Sequence, residues 1–170
     1  MSTDNKYYGK YRGTVVNNLD PMQIGRIQVI VPDLSIIPGS WAMPCFPSSG
    51  KQMGMFTLPQ IGTGVWVEFE GGQLDYPIWS GCWYGSAAEV PALALASPPG
   101  VPSFVMQTTA QNTFMISDTP GPTGGFLLKT TTGAMISVSD TGIIISNGKG
   151  AAITMTGPTV TVNNGALIVT

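Results

Sequence analysis

Few side chains in this sequence could do chemistry. Glu68 and Glu70 stand two apart in the run VWVEFE, and residues two apart on a strand share a face with about 6–7 Å between them. That spacing approaches the carboxyl pairs that cleave glycosidic bonds. It equally describes a solvated outer face opposite Val67 and Phe69, and we adopt that reading. The chain has no histidine, no Ser or Cys nucleophile beside a plausible base, and no glycine loop of the phosphate-binding kind. The expectation is a protein that is not an enzyme, with no cofactor and no metal site. Cys45 and Cys82 lack C-x-x-C spacing and are expected to be free, buried thiols.

Trp66, Trp79, Trp83 and Tyr84 could stack on the bases of a single strand, as aromatic residues do in some small β-barrels. Such binding needs basic residues interleaved with the rings. Here the whole chain has seven Lys plus Arg and a net charge of −2, so these rings are expected in the core or at subunit contacts, with no nucleic acid as partner. Met53, Met55 and Phe56 lie in a long loop, where they form either a docking patch or a loop folded back on its own barrel.

Only 9% of residues are charged while 43% are hydrophobic. This excludes disorder and leaves little charge for solubility, a balance suited to a component of an assembly. The start, MSTDNKYYGK, lacks the apolar core of a signal peptide, and no apolar run approaches a membrane span. Synthesis and retention in the cytoplasm are expected.

Short alternating runs must position these residues. After a flexible arm over 1–6, Tyr7 to Val16 reads as a strand, Asn17 to Met22 as a turn, and GRIQVIVP as a second strand with Ile27, Val29 and Val31 on one face. A short, Pro-interrupted strand near Trp41 to Cys45, then VWVEFE and YPIWSGCWY, complete five strands. They suggest a five-stranded OB-type barrel over 7–85. Residues 86–106 read as a Pro/Ala-rich linker or surface strap.

Residues 107–170 read as a further region, which opens with one more strand, NTFMISD, and from Gly125 to Thr170 repeats one device. Gly133, Gly142, Gly150, Gly157 and Gly165 recur every seven to nine residues. Between them Ile136/Val138 alternate with Ser137/Ser139, Ile153/Met155 with Thr154/Thr156, and Val160/Val162 with Thr159/Thr161. Ile143, Ile144 and Ile145 are consecutive, so one of them breaks the alternation. A lone ribbon of this kind leaves one face wet and its edges unpaired, and is not expected to fold by itself.

An ordered set of residues then resembles a known family. Gly25-Arg26 in LDPMQIGRIQVIVP, Pro59 with Gly62 and Gly64 before VWVEFE, Asp75-x-Pro77 and Gly81 look like the central spike of contractile injection machines. These are the VgrG and baseplate-assembly-protein-V proteins of type VI secretion systems, contractile phage tails and related injection particles. The resemblance implies an all-β chain, with an N-terminal five-stranded OB-type barrel followed by a C-terminal triple-stranded β-helix formed by three chains. It further implies a homotrimer whose core takes Ile136, Val138, Ile143, Ile145, Ile153, Met155, Val160 and Val162, with Thr and Ser outside and edge groups paired between chains. Baseplate hub and tube proteins are implied partners, with Met53, Met55 and Phe56 as a hub contact. Arg26 and Asp118 are candidates for contacts between chains.

Linker 86–106 leaves no room for the lysozyme domain that some relatives carry, and without histidine the chain lacks their metal-bound tip. A separate PAAR-like tip protein is therefore expected on Leu167, Ile168, Val169 and Thr170. The spike would enter the baseplate of a virion tail or injection particle and meet the target membrane only while piercing it. The competing reading is an OB-fold nucleic-acid-binding module with a β-rich oligomerisation tail.

Overall fold

A computed structural model describes residues 5–34 and 40–169. The chain divides into two units, Met1–Ala87 and Ala88–Thr170. In the first unit the strands are β1 (Tyr11–Asn17), β2 (Gln28–Ile30), β3 (Met43–Pro44), β4 (Ser49–Gly50), β5 (Met53–Gly54), β6 (Gly64–Phe69) and β7 (Pro77–Trp83). Five of them form a sheet in the order β2-β1-β6-β7-β3, in which only β3 and β7 run parallel. A bridge between Ile27 and Ala42 ties the two outer strands together, each N–H donating to the other's carbonyl at 3.2 and 2.7 Å. The sheet thus closes on itself as the small barrel that the alternation suggests.

Alternate positions fill that barrel. Val15, Ile27, Val29, Val31, Val65, Val67, Phe69 and Trp79 are buried together, each from the inward parity of its strand. Tyr7 and Tyr11 pack edge-on against Phe69, and the Tyr7 N–H donates to the Gly72 carbonyl at 2.9 Å. The first strand starts at Tyr11, so Tyr7 to Lys10 approach the barrel outside the ladder rather than as the strand expected there. Of the expected arm, residues 1–4 lie outside the described residues.

Arg26 is engaged within the chain, where its guanidinium closes the β1–β2 loop by donating from Nε and Nη2 to Asp20 Oδ1 at 2.9 and 2.7 Å. The Asp20 carboxylate also accepts the N–H groups of Met22, Ile24 and Arg26. Cys45 and Cys82 are free but exposed, not buried. Cys82 lies beyond a register shift opposite Trp66/Val67, which pairs Trp66 with Gly81 and Val67 with Trp79. The shift sets Cys82 directly opposite Val65, one residue from the end of β7, and there it stays exposed.

The Asp20 clip carries a pH dependence. The Arg26 guanidinium, aided by the three backbone donors, holds the Asp20 carboxyl well below the usual carboxylate range against the opposing effect of burial. A depressed folded-state pKa means the unfolded chain binds the proton first. Its stabilisation is therefore complete above about pH 4 and is lost as pH falls from there towards the folded value. Asp20→Asn is expected to lower the barrel's thermal midpoint at pH 7, and the gap from the unaltered protein should narrow below about pH 4. A gap of constant size from pH 7 to pH 2 in thermal melts contradicts the clip.

The second unit holds one short helix, α1 (Ala92–Ala96), and eight strands. These are β8 (Ser103–Gln107), β9 (Thr113–Ser117), β10 (Gly125–Lys129), β11 (Met135–Ser139), β12 (Gly142–Ser146), β13 (Ala152–Thr156), β14 (Thr159–Val162) and β15 (Leu167–Val169). They form one antiparallel meander, each strand paired with its neighbours in sequence. The strand at 103–107 corrects the expectation of linker through 106. At about 4.8 Å per strand the sheet is roughly 34 Å long.

Glycines make the tight returns possible. Gly142 has φ of +147° and Gly133 of +87°, in the region that favours glycine. A Cβ on Gly142 would stand 2.2 Å from the Met155 carbonyl oxygen of the next hairpin. The ladder is built within the chain, so only the outer edges of β8 and β15 lack an in-chain partner strand. Those two edges are where backbone groups remain for the expected pairing between chains.

Candidate assembly surface

The blade's register assembles its side chains into rows. One row runs Met106, Phe114, Leu128, Ile136, Ile145, Ile153, Val162, Leu167, each directly opposite the next across a strand pair. The second runs Phe104, Ile116, Phe126, Val138, Ile143, Met155, Val160, Val169 on the same face. Neither row contains a polar residue. All eight residues expected in a trimer core therefore share one face, and Ile144 is the one that breaks the alternation. It pairs with Ser137 and Thr154 on the other face.

Six further residues at the start of the blade belong to these rows and escape a reading by alternation. Phe104, Met106, Phe114, Ile116, Phe126 and Leu128 do alternate, but Val105, Met115 and Leu127 between them are apolar too, which hides the period. The reason lies on the back of the sheet. There α1 covers Met115, and Leu93 and Ala96 line a notch of about 270 Å³ with Met115, Leu127, Met135 and Ile144. A ring of hydroxyls pins the strap: Ser97 to Ser117 at 3.0 Å, Ser117 to Thr119 at 2.9 Å and Thr119 to Ser97 at 3.0 Å.

Exposure on the two faces is opposite to that of a sheet at rest in water. Phe126 is 54% exposed, Ile145 43% and Ile153 38%, whereas Ser137, Thr154 and Thr161 on the back are half-buried. A continuous apolar strip along eight strands exceeds what a lone soluble chain leaves open. Large rings stand at its start, where Phe104 and Phe114 meet edge-on at 6.1 Å. Aliphatic side chains, branched except for Met155, take over from Ile136 onward.

The remaining candidates scatter. Met53, Met55 and Phe56 are exposed in the loop between β3 and β6, where Phe56 leans on Phe46 with ring centres 5.4 Å apart. Of the four aromatic candidates, Trp79 alone is core; its Nε1 donates to the Gly25 carbonyl at 3.0 Å. Trp66 and Trp83 lie on the barrel's outside with the Arg12 guanidinium over both rings at 5.7 and 5.3 Å, and Tyr84 is exposed. Glu68 is taken up by Lys10 at 2.6 Å. Leu167 and Val169 continue the apolar rows, while Thr170 lies outside the described residues. Among the described residues no cluster of potential metal ligands occurs, and no helix is long and apolar enough to cross a membrane.

A closed five-stranded barrel followed by a blade with one bare apolar face defines a protein that works in an assembly. The comparisons give that class its family. Residues 11–84 match the injector OB domain of type VI secretion systems and phage baseplates, and residues 103–168 match the C-terminal trimerisation domain of phage baseplate V. The chain belongs to the baseplate spike family of phage tails and type VI injectors, forms homo-oligomers, and is a component of such a machine. No curated protein matches the chain.

The residues that carried the resemblance have structural reasons. Gly25 has φ of +87°, and a Cβ there would stand 2.8 Å from the Phe46 ring. Arg26 holds Asp20, and the Pro59 carbonyl accepts from Asn18 Nδ2 at 3.0 Å. Gly64 lies under the Trp83 ring, 2.5 Å from where a Cβ would be. Pro77 opens β7, and Gly81 makes its bulge.

Proposed function

We propose that three copies pack their blade faces around one axis as a stiff needle, with the barrels anchored in a baseplate hub below a tube. Contraction of a surrounding sheath then drives the needle through the envelope of a target cell. The observation that carries this reading is the pair of unbroken apolar rows, half-exposed in one chain. Cyclic three-fold symmetry lets one face meet itself at the axis without leaving an open end.

The work is mechanical, and no chemical step, cofactor or metal enters it. Every interior strand of the blade is hydrogen-bonded on both sides, so bending it means breaking ladders. A PAAR-like tip protein seated on the outer edge of β15 belongs to the same proposal. Sedimentation of the full chain tests it: the expected species has three times the mass of the 17.8 kDa chain. A monomer or a dimer at micromolar concentration overturns the reading.

A further inference from the structure

The blade's few charges are sorted by side. In its strands and turns, residues 103–169, four side chains carry charge: Asp118, Lys129, Asp140 and Lys149. Glu89, the remaining charged side chain of the second unit, belongs to the strap before the first strand. The register places each of the four. Gly125 pairs with Ser117 and Ser139 with Gly142, so Asp118 and Asp140 lie in turns along one lateral rim. Lys129 pairs with Thr113 and Met135, and Ser146 pairs with Ala152, so Lys129 and the turn holding Lys149 lie along the opposite rim. All four residues are exposed.

Neither rim can neutralise the other within one chain. A five-residue strand separates them by about 17 Å, beyond the reach of a lysine side chain. Among the described residues none of the four takes part in an ion pair. The Gly121 N–H donates to Asp140 Oδ2 at 3.2 Å, which links the two acidic turns into one strip. The spacing of the two strips also matches. Asp118 follows β9 and Asp140 follows β11, two strand steps or about 9–10 Å apart. Lys129 closes β10 and Lys149 lies beyond β12, the same two steps. Each lysine stands one strand further along than an aspartate, so a single offset brings both pairs together.

We propose that these rims form a second contact between copies of the chain, with Asp118 and Asp140 of one blade against Lys129 and Lys149 of the next. The inference rests on the three-chain reading of the blade. In a ring whose blades all run the same way, each copy offers one rim of each sign, and every corner joins opposite charges. A blade inserted upside down, its apolar face still inward, would set aspartate against aspartate and lysine against lysine. Exposed ion pairs add little strength. What they supply here is a choice of direction, which two rows made only of apolar residues encode poorly.

Cross-linking of the full chain tests the contact. In a background of Cys45→Ser and Cys82→Ser, Asp140→Cys and Lys149→Cys are made singly and together, and the assembled protein is treated with a short bismaleimide. The double variant should give covalent dimers and closed trimers, about tenfold more than either single variant. A trimer by sedimentation whose double variant does not cross-link overturns the rim contact and leaves the three-chain blade standing. Covalent dimers from a single variant mean that like rims meet, and overturn it too. A monomer by sedimentation overturns both readings. Refolding tests the charge: Asp118→Lys with Asp140→Lys should lower the yield of trimer, and adding Lys129→Asp with Lys149→Asp to the same chain should restore it. A yield that never falls, or that the second pair of changes does not restore, overturns the role given to charge.

Discussion

Ile153→Asp is expected to abolish the oligomer, while Thr154→Asp, one residue along, leaves it intact. Ile153 sits mid-row, directly opposite Ile145 and Val162, so a three-fold assembly would bring three aspartates to one level of a dry axis. Burying a carboxylate with no partner costs several kcal/mol or forces it to take up a proton, and here the cost falls on each of three copies. Thr154 faces the other way, between Ile144 and Thr161, where a surface substitution changes stability by about 0.5 kcal/mol or less. Light scattering reads the mass and a thermal melt the stability. Because burial raises a carboxyl's pKa, partial recovery of the Ile153→Asp oligomer near pH 5 is also expected. An intact trimer of Ile153→Asp with an unchanged melting temperature would falsify the apolar axis.

Much of this surface is legible in the residues, and the gaps have physical causes. Where polar and apolar residues alternate strictly, as from Ile136 to Val162, the parity alone gives the face. The consecutive isoleucines at 143–145 cannot be assigned that way, because only the pairing of Ile144 with Ser137 and Thr154 says which one turns back. Ser103–Gln107 is obscured for a different reason. Its two faces are both wanted by apolar neighbours, the strap on one side and the bare rows on the other, so SFVMQ shows no period and its upstream prolines suggest a linker.

In the barrel, Ile27, Val29 and Val31 announce themselves by alternation, but Asp20 and Arg26 do not. Their contact depends on the path of a turn, which periodicity does not record. The bulge at Gly81 is likewise a single inserted residue, and the alternation does not record that it sets Cys82 opposite Val65. The number of chains is the least legible property of all. A single sequence displays an unsatisfied face, and the three-fold count comes with the family rather than from any residue.

Trp79→Ala is expected to unfold the barrel's core while the blades stay joined. The Trp79 ring is 4% exposed, packs edge-on to Phe46 at 5.6 Å and ties β7 to the β1–β2 loop through Gly25. Emptying such a site costs about 3–5 kcal/mol, with about 1 kcal/mol more for the lost hydrogen bond. Against a total of about 5–15 kcal/mol for a small domain, that is a large share. The core cluster around Trp79 is built from residues of the first unit, whereas the apolar rows are built from strands of the second. All four tryptophans, Trp41, Trp66, Trp79 and Trp83, lie in the first unit, so tryptophan fluorescence follows the barrel alone while light scattering follows the oligomer. The fluorescence transition should fall by 10 °C or more, on the order expected for a loss of this size, with the scattering mass unchanged at temperatures between the two transitions. Joint collapse of both signals would mean that the barrels hold the blades together. The needle would then depend on its anchor for its own assembly, and the bare apolar face would not suffice to join three chains.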